Sequence, residues 1–314
     1  MRPILLAGPT GVGKSEVALC LAEQLGGEII SVDSMQVYRG LDIGTAKPGP
    51  AERARVPHHL IDVAELTESF DAARFVRLAR QAVQAIQTRG KTPILCGGTG
   101  LYFRAWLEGL GEAPPADHGL RAELEATPLS DLLRELAQRD PLTFARIDRQ
   151  NPRRVIRAVE VIRLTGKPFS AQRAPWNAAA QTAARGVLVG LARQPDDLRR
   201  RIQARVDRMF ELGLVDETRR LLARGLAQNP TALQAIGYRQ VVEHLQGARS
   251  LPETIALVKT RTWQLARRQM TWFRGQMRLD WVEVGPEDSP EAVATRVAHR
   301  CRILAGQSGA GHPA

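Results

Sequence analysis

A glycine-rich loop near the start of the chain constrains the fold more than any other feature of the sequence. Gly8, Gly13, Lys14 and Ser15 match the pattern G-x-x-x-x-G-K-S, between the apolar run "ILLA" and the helix-like run "EVALCLAEQLG". Such a loop binds a di- or triphosphate, because its backbone N–H groups turn toward one oxyanion and the next helix adds a positive N-terminal dipole. The sequence therefore predicts a P-loop between a strand and a helix.

The loop also predicts its own phosphate ligands. Lys14 is expected to reach the outer phosphate, and the hydroxyl of Ser15 is expected to ligate Mg²⁺ as a cofactor. The alternative is an ordinary glycine-rich turn. The strand-like run before the loop and the helix-like run after it count against this alternative. The pattern does not identify the molecule to which the phosphate belongs, and ATP is one candidate. The predicted phosphate-binding residues are Gly8, Pro9, Thr10, Gly11, Val12, Gly13, Lys14 and Ser15.

Apolar runs alternate with helical stretches along the chain, which is typical of a parallel sheet covered on both faces. We therefore predict an α/β fold, a P-loop NTPase-like parallel sheet with helices on both faces. One of the helices is expected at residues 72–88. The predicted strands are "PILLAG", "GEIISVDS", "TPILCGGTG", "GVLVGLAR" and "DWVEVG".

A proline- and glycine-containing linker, "EGLGEAPPADHG", separates this pattern from a stretch without strand signals. We predict an inserted all-α domain at residues 116–184, inside a core formed by residues 1–115 and 185–285. Residues 286–314 are expected to hold a C-terminal helix and a disordered tail. The predicted helices of the insertion are 120–138, 141–147 and 152–165, and the predicted C-terminal basic helices are 196–212, 214–225 and 252–274.

Composition excludes several other classes of protein. With 44% hydrophobic and 25% charged residues among 314, the chain is an ordinary globular protein. No apolar run approaches the roughly 18 residues of a membrane span, so we expect no signal peptide, no membrane anchor and a cytoplasmic location. Three widely spaced cysteines, Cys20, Cys96 and Cys301, are expected to be buried thiols.

The net charge of +11 is unevenly distributed. Residues 1–115 hold 12 basic and 12 acidic side chains, residues 116–195 hold 13 and 8, and residues 196–280 hold 16 and 9. An excess outside the phosphate-binding third favours a polyanion that lies across the second half of the chain. The alternative is a compositional bias toward arginine.

Three further residues are expected beside the P-loop, because ligands of open parallel sheets bind at the carboxyl ends of the strands. Asp33 follows the second predicted strand, Thr99 follows the third, and Thr10 lies in the loop itself. The alternatives are a helix N-cap for Asp33 and a glycine-turn residue for Thr99. The third strand carries a hydroxyl where a kinase or GTPase would carry an Mg²⁺-binding Asp.

Several long blocks resemble bacterial tRNA dimethylallyltransferases, in order over about residues 3–283. They are "GPTGVGKS", "SVDSMQVYRGLDIGTAKP", "PHHLID", "GGTGLYFRA", "NPRRVIRAVE", "RIQARVDRM", "QAIGYRQ" and "TRTWQLARRQMTWFR". The resemblance implies that the dimethylallyl group of dimethylallyl diphosphate is transferred to N6 of the adenosine 3′-adjacent to the anticodon of tRNA, with release of diphosphate.

The resemblance also implies roles for particular residues. Asp33 is implied as the base that takes the N6 proton, and Thr99 and Arg205 complete the catalytic set as diphosphate ligands. A solvated arginine is the alternative for Arg205. The adenine is expected to leave its stack and enter a channel between the core and the insertion. The implied tRNA-binding residues are Asp33, Ser34, Met35, Gln36, Arg153, Arg154, Val155, Ile156, Arg157, Gln234, Ala235, Ile236, Gly237, Tyr238, Arg239 and Arg267.

For two of these segments, the residues themselves support a role, apart from the resemblance. Asn151 and Pro152 are expected to cap a helix whose arginines emerge in its first turns. Trp263, Arg267 and Arg274 share one helical face with Met270, either for RNA or for core packing. Gln234 stands where bacterial relatives often carry a basic residue, and no zinc-finger spacing follows residue 283.

Two rival functions remain open from the residues. One is an isopentenyltransferase that acts on free adenine nucleotides, which has no use for the basic second half. The other is a P-loop kinase of a small metabolite, against which the missing Asp counts. A tRNA-binding chaperone would leave the P-loop unexplained. The expected partners are tRNA through its anticodon stem-loop and dimethylallyl diphosphate, and we expect a monomer.

Overall fold

The computed structural model of the protein describes residues 2–172, 174 and 186–307. Residues 175–184, the end of the predicted insertion, and the predicted tail beyond residue 307 lie outside them. The chain divides into two compact units, one of Met1–Leu107 with Gln181–Ala314 and one of Glu108–Ala180. Among the described residues, no helix is both long and apolar enough to cross a bilayer.

The first unit contains a six-stranded parallel sheet in the order β3-β2-β4-β1-β5-β6. All five predicted strands are confirmed, whereas β3 escaped prediction because two residues are too few to show a pattern. The strands are β1 (Ile4–Ala7), β2 (Gly27–Val32), β3 (His58–His59), β4 (Thr92–Gly97), β5 (Val187–Ala192) and β6 (Asp280–Glu283).

Nine helices of the described residues accompany this sheet. Ile4 and Leu6 of β1 belong to one buried cluster with α1 and α14, and by strand alternation Leu5 faces the opposite side. The predicted α/β fold is thereby confirmed. The helices are α1 (Lys14–Leu25), α2 (Pro50–Arg55), α3 (Ala72–Thr88), α4 (Gly100–Glu108), α10 (Pro195–Glu211), α11 (Leu214–Ala223), α12 (Tyr238–Leu245), α13 (Leu251–Gln276) and α14 (Pro290–Gln307).

The second unit contains only helices among its described residues. They pack around a core of their own that includes Leu124, Leu136 and Val159. The helices are α5 (His118–Ala126), α6 (Leu129–Arg139), α7 (Pro141–Arg146), α8 (Pro152–Thr165) and α9 (Phe169–Gln172).

One helix boundary corrects the prediction. The stretch 120–138, predicted as a single helix, is two helices that are separated at Thr127 and Pro128. Proline has no N–H to donate and restricts the residue before it, and Thr127 accordingly has an extended backbone, with φ −81° and ψ 134°. The helix predicted at 152–165 is confirmed, with the side chain of Asn151 as its N-cap and Gly166, at φ 71°, after its end.

Candidate active site

Three segments with predicted roles begin at the same edge of the sheet. Ala7 at the end of β1 and Val32 at the end of β2 are both in register with Gly97 at the end of β4. The P-loop, Asp33 and Thr99 follow these three residues within the next few positions. The parallel register therefore brings together the first three groups that the sequence predicted.

The P-loop turns between β1 and α1 through glycines with left-handed backbones. Gly11 has φ +82° and Gly13 has φ +101°, conformations that cost other L-residues energy. Space also requires glycine at Gly11, because an added Cβ would lie 2.8 Å from the side chain of Ile202 on α10. The loop is therefore shaped both by its own glycines and by the helix packed against it.

Two arginines that the sequence analysis missed hold the carbonyl side of the loop. Arg193, just after β5, donates from Nε to the carbonyl oxygen of Val12 over 3.0 Å. Arg201 on α10 donates from Nε to the carbonyl oxygen of Gly11 over 3.2 Å. Nothing in their local pattern distinguishes them from the many other arginines, so only the tertiary contacts could identify them.

Lys14 bends back over the loop that it follows. Its Nζ donates to the carbonyl oxygen of Pro9 over 2.8 Å. Desolvation lowers the pKa of Lys14 to about 8, with a further lowering by the charge of Arg205. The ammonium is therefore poorly solvated before any anion arrives, which favours its pairing with a phosphate.

Asp33 uses one carboxylate oxygen to hold its own turn. Oδ1 accepts hydrogen bonds from the backbone N–H of Met35, at 2.8 Å, and of Gln36, at 3.3 Å. Oδ1 therefore caps a turn, and the alternative of a helix N-cap is wrong because no helix follows Asp33. Oδ2 has no hydrogen-bond partner among the residues that the structure describes, which leaves it available as a proton acceptor.

Thr99 lies in a loop where helix α13 and strand β2 approach the backbone closely. An added Cβ at Gly97 would lie 2.1 Å from the carbonyl oxygen of Val32, and one at Gly100 would lie 2.2 Å from the Trp272 ring. Thr99 is tied to the Asp33 turn because its Oγ1 accepts from the N–H of Ser34 over 3.2 Å. The threonine is thus more than a turn residue.

Arg205 on α10 has a guanidinium that is withdrawn from solvent. Its Nη2 donates to the carbonyl oxygen of Thr45 over 3.5 Å. Its Nε is buried without a hydrogen-bond partner in the described part of the chain. Burial lowers the pKa of Arg205, and the charge of Asp33 acts in the opposite direction. The alternative of a solvated surface arginine is therefore wrong.

The candidate tRNA-binding residues of the helical unit divide by exposure. Arg153 and Arg154 are exposed, whereas Val155 and Ile156 are buried in the core of the unit. Arg157 is used internally, because Nη1 donates to Glu160 and Nη2 to the carbonyl oxygen of Pro114, each over 2.6 Å. The prediction of an RNA contact is therefore wrong for the side chains of Val155 and Ile156, whereas for Arg157, which is half-buried and paired, it stays a prediction.

A similar division holds for the turn before α12. Gln234 and Arg239 are exposed and Ile236 is half-buried, whereas Ala235, Gly237 and Tyr238 are buried. The Tyr238 hydroxyl donates to Glu217 over 2.6 Å and accepts from the N–H of Gly44 over 3.0 Å. Tyr238 is thus a structural residue, and the predictions of RNA-contacting side chains at Ala235 and Tyr238 are corrected.

The segment after Asp33 is also partly structural. Ser34 and Met35 are half-buried, and the Gln36 side chain accepts from the Ser31 hydroxyl over 2.8 Å. The amide nitrogen of Gln36 donates to the carbonyl oxygens of Thr45 and Ala46. Gln36 therefore links the Asp33 turn to the segment that contacts Arg205.

The helical face that was predicted to carry Trp263, Arg267 and Arg274 lies on α13, and its side chains are partly exposed and partly packed. Arg267 and Arg274 are exposed, whereas Trp263 is half-buried and packs against the core. Core packing is therefore the correct interpretation for Trp263. The arginines of the same helix remain candidates for an RNA contact.

The chain matches one family model and many curated proteins over most of its length. The family described as IPP transferase matches residues 36–276. The chain is 45% identical over 305 residues to tRNA dimethylallyltransferase 1 of Citrifermentans bemidjiense, covering 97% of this chain and 98% of that protein. It is 47% identical over 300 residues to tRNA dimethylallyltransferase of Halorhodospira halophila, covering 92% and 95%.

Solved structures with the same fold agree with these matches. The full-length tRNA isopentenylpyrophosphate transferase of Bacillus halodurans is 38% identical, with a TM-score of 0.70 and coverage of 98% of this chain and 99% of that chain. A eukaryotic dimethylallyltransferase, captured acting on tRNA, is 27% identical, with a TM-score of 0.79 and coverage of 99% and 80%.

Proposed function

This chain belongs to the IPP transferase family, and we propose that it transfers the dimethylallyl group of dimethylallyl diphosphate to N6 of the adenosine 3′-adjacent to the anticodon in tRNA. The observation that carries the proposal is the meeting of the P-loop, Asp33 and Thr99 at one edge of the sheet. A phosphate cradle beside a free carboxylate oxygen suits an alkyl transfer in which diphosphate leaves and a proton is removed.

The diphosphate is proposed to lie on the P-loop. The backbone N–H groups of the loop and the N-terminus of α1 favour an anion, and Lys14 supplies a poorly solvated ammonium. Arg205 supplies the unpaired buried Nε, a donor that an incoming oxyanion would satisfy. Thr99 offers a hydroxyl at the same edge. These donors stabilise the negative charge that develops on the leaving diphosphate.

Mg²⁺ fits the donor chemistry of this site. The Ser15 hydroxyl is exposed in the first turn of α1, and Mg²⁺ typically takes one or two protein oxygens and completes its shell with phosphates and water. The described residues hold no cluster of three or more acidic, histidine or cysteine side chains for a metal, so the substrate would supply most ligands. When bound, the ion would neutralise charge on the diphosphate.

Asp33 is proposed to act as the base. The N6 lone pair of adenine is delocalised into the ring, so attack is easier if a carboxylate accepts the N6 proton as the bond forms. The new bond joins N6 to C1 of the dimethylallyl group, the C1–O bond breaks, and its electron pair leaves with the diphosphate. Oδ2 of Asp33 would receive the proton while Oδ1 keeps its two hydrogen bonds to the turn.

The tRNA is proposed to contact the exposed arginines of each unit. Arg153 and Arg154 belong to the helical unit, and Arg239 and Arg267 belong to the sheet unit. The target base must leave its stack to reach a carbon held at the P-loop. We further propose a monomer, since one chain carries the cradle, the base and these arginines, and a cytoplasmic location, where the tRNA substrate is found.

One experiment separates this function from its rivals. The protein is incubated with Mg²⁺ and labelled dimethylallyl diphosphate, together with unmodified tRNA, with AMP, or with ATP and candidate acceptors. Label should enter tRNA and not AMP, and ATP should act at most as a weak competitor without hydrolysis. Transfer to AMP alone would support the free-nucleotide enzyme, which the basic second half disfavours. Steady ATP turnover would support a kinase.

A further inference from the structure

A glutamine of α13 joins the two loops that flank the candidate diphosphate site. Gln269 accepts at Oε1 from the backbone N–H of Thr10 over 2.8 Å, and donates from Nε2 to the carbonyl oxygen of Gly98 over 3.0 Å. We propose that Gln269 is a positioning residue that sets the distance between the P-loop and the Thr99 loop, and so preorganises the diphosphate ligands. This inference rests on the proposed function for the identity of the ligand.

The two hydrogen bonds of Gln269, called the Gln269 bridge below, join loops that follow neighbouring strands. The P-loop follows β1 and the Thr99 loop follows β4, and these strands end in register at Ala7 and Gly97. Beyond those residues, no backbone hydrogen bond in the described part of the chain joins the P-loop to the Thr99 loop. The side-chain amide of Gln269 takes over, because its acceptor serves one loop and its donor serves the other.

The Thr99 loop is built to receive this side chain. An added Cβ at Gly98 would lie only 2.5 Å from Nε2 of Gln269, and one at Gly100 would lie only 2.2 Å from the ring of Trp272. Gln269 and Trp272 are three residues apart on α13 and therefore share a helical face. Gly98 and Gly100 thus leave room in the loop for two side chains of α13. The contact at Gly98 limits how far the Gln269 side chain reaches into the loop.

The Gln269 bridge also decides which donors remain for an anion. The N–H of Thr10 already donates to Gln269, so the other donors of the loop remain for the anion. Thr10 contributes through its side chain, and Thr99 is connected to Gly98 by a single peptide bond. A displacement of either loop would therefore move a diphosphate ligand directly. Donors that are already in place stabilise charge without a cost of reorganisation.

The test replaces Gln269 with residues that keep its length and remove parts of the Gln269 bridge. Gln269→Met removes both hydrogen bonds, and Gln269→Glu keeps an acceptor for Thr10 but places an oxygen against the Gly98 carbonyl. Gln264→Met is the matched control, because Gln264 lies on the same helix and its Oε1 accepts a hydrogen bond from the exposed Arg261 over 3.2 Å. Calorimetry measures Mg²⁺-diphosphate binding, and steady-state kinetics measures KM for each substrate.

Both Gln269 variants should weaken Mg²⁺-diphosphate binding by about tenfold, the effect of one or two lost hydrogen bonds. KM for dimethylallyl diphosphate should rise similarly, while KM for tRNA and the melting temperature change little. Wild-type diphosphate affinity in either variant would overturn the proposal. An equal rise of both KM values together with a fall in melting temperature would also overturn it, because that pattern indicates a general packing role.

A double-mutant cycle tests the route of the effect. If Gln269 acts through the Thr99 loop, the losses from Gln269→Met and Thr99→Ala should not add, whereas additive losses would contradict the route. The diphosphate arm needs no tRNA. If the wild-type protein binds diphosphate but fails to modify tRNA, the proposed function fails, and the calorimetric comparison of the Gln269 variants still decides the positioning role.

Discussion

Arg205 donates from Nη2 to the carbonyl oxygen of Thr45 over 3.5 Å, while its buried Nε has no hydrogen-bond partner within the described residues. An unpaired buried donor is costly, and a cationic one more so. Such an atom is explained when an anion completes the site. The relationship also connects the segment around Thr45, whose neighbours contact Glu217 and Tyr238, to the candidate diphosphate site.

Replacing Arg205 should therefore affect chemistry more than folding. Arg205→Ala is expected to slow transfer on the order of 10²-fold, the loss typical of one strong donor to developing charge. Single-turnover transfer to unmodified tRNA provides the measurement. Arg208→Ala is the control, because Arg208 lies on the same helix but is exposed and pairs with Glu211. Wild-type rates for Arg205→Ala would remove this residue from the site.

Asp33→Asn should separate basicity from structure. The asparagine keeps an oxygen for the N–H groups of Met35 and Gln36, so the turn should persist, but the side chain cannot take the N6 proton. Single-turnover transfer should fall by about 10² to 10⁴ with little change in tRNA affinity. Asp196→Asn, an exposed aspartate at the start of α10, should keep the full rate. Equal losses in affinity and rate would make Asp33 a residue that positions RNA.

The lowered pKa of Lys14 predicts a pH dependence of diphosphate binding. Below about pH 8 the ammonium is charged and attracts the anion, and above about pH 8 the free protein loses this charge. The dissociation constant of Mg²⁺-diphosphate should therefore rise as pH increases through about 8 in the wild-type protein. Lys14→Arg stays charged in this range and should show a flatter profile in calorimetry. Parallel profiles would contradict the assignment.

The charge asymmetry predicts the salt dependence of tRNA binding. Each phosphate that is neutralised contributes about −0.7 to −0.9 to the slope of log K against log salt. Arg154→Ala and Arg267→Ala should each reduce the magnitude of the slope by about one contact. Arg77→Ala and Arg80→Ala, at exposed positions of α3, should leave it unchanged. Four identical slopes would mean that the excess of arginine is compositional.

Tyr238 should contribute to stability and not to RNA affinity. Tyr238→Phe removes the donor to Glu217 and the acceptor for the Gly44 N–H inside the protein. The free energy of unfolding should fall by about 1 to 3 kcal/mol, measured by chemical denaturation. Arg239→Ala, its exposed neighbour in the same helix, should change stability by less than about 0.5 kcal/mol. A larger loss of stability in Arg239→Ala than in Tyr238→Phe would contradict the structural role of Tyr238.

Some of the site was predictable because its signals are local. The P-loop needs particular residues at fixed spacing, and the strands before Asp33 and Thr99 are continuous apolar runs, so their shared edge followed from parallel topology. The break at Pro128 was predictable in principle from the residue itself. The two-residue β3 was not, since so short a strand depends on its neighbour β2.

The sequence by itself determined the P-loop, the order of the strands along the chain, the capped helix after Asn151 and the family to which the chain is similar. Only the tertiary structure decided which of many arginines matter. Arg193 and Arg201 hold the loop, Arg205 has a buried and unpaired Nε within the described residues, and Arg157 forms an ion pair with Glu160. It also placed Gln269 between two loops that are more than 170 residues away in the chain. The physical reason is that a side chain's environment depends on neighbours distant in sequence, whereas turn geometry and helix capping depend on adjacent residues.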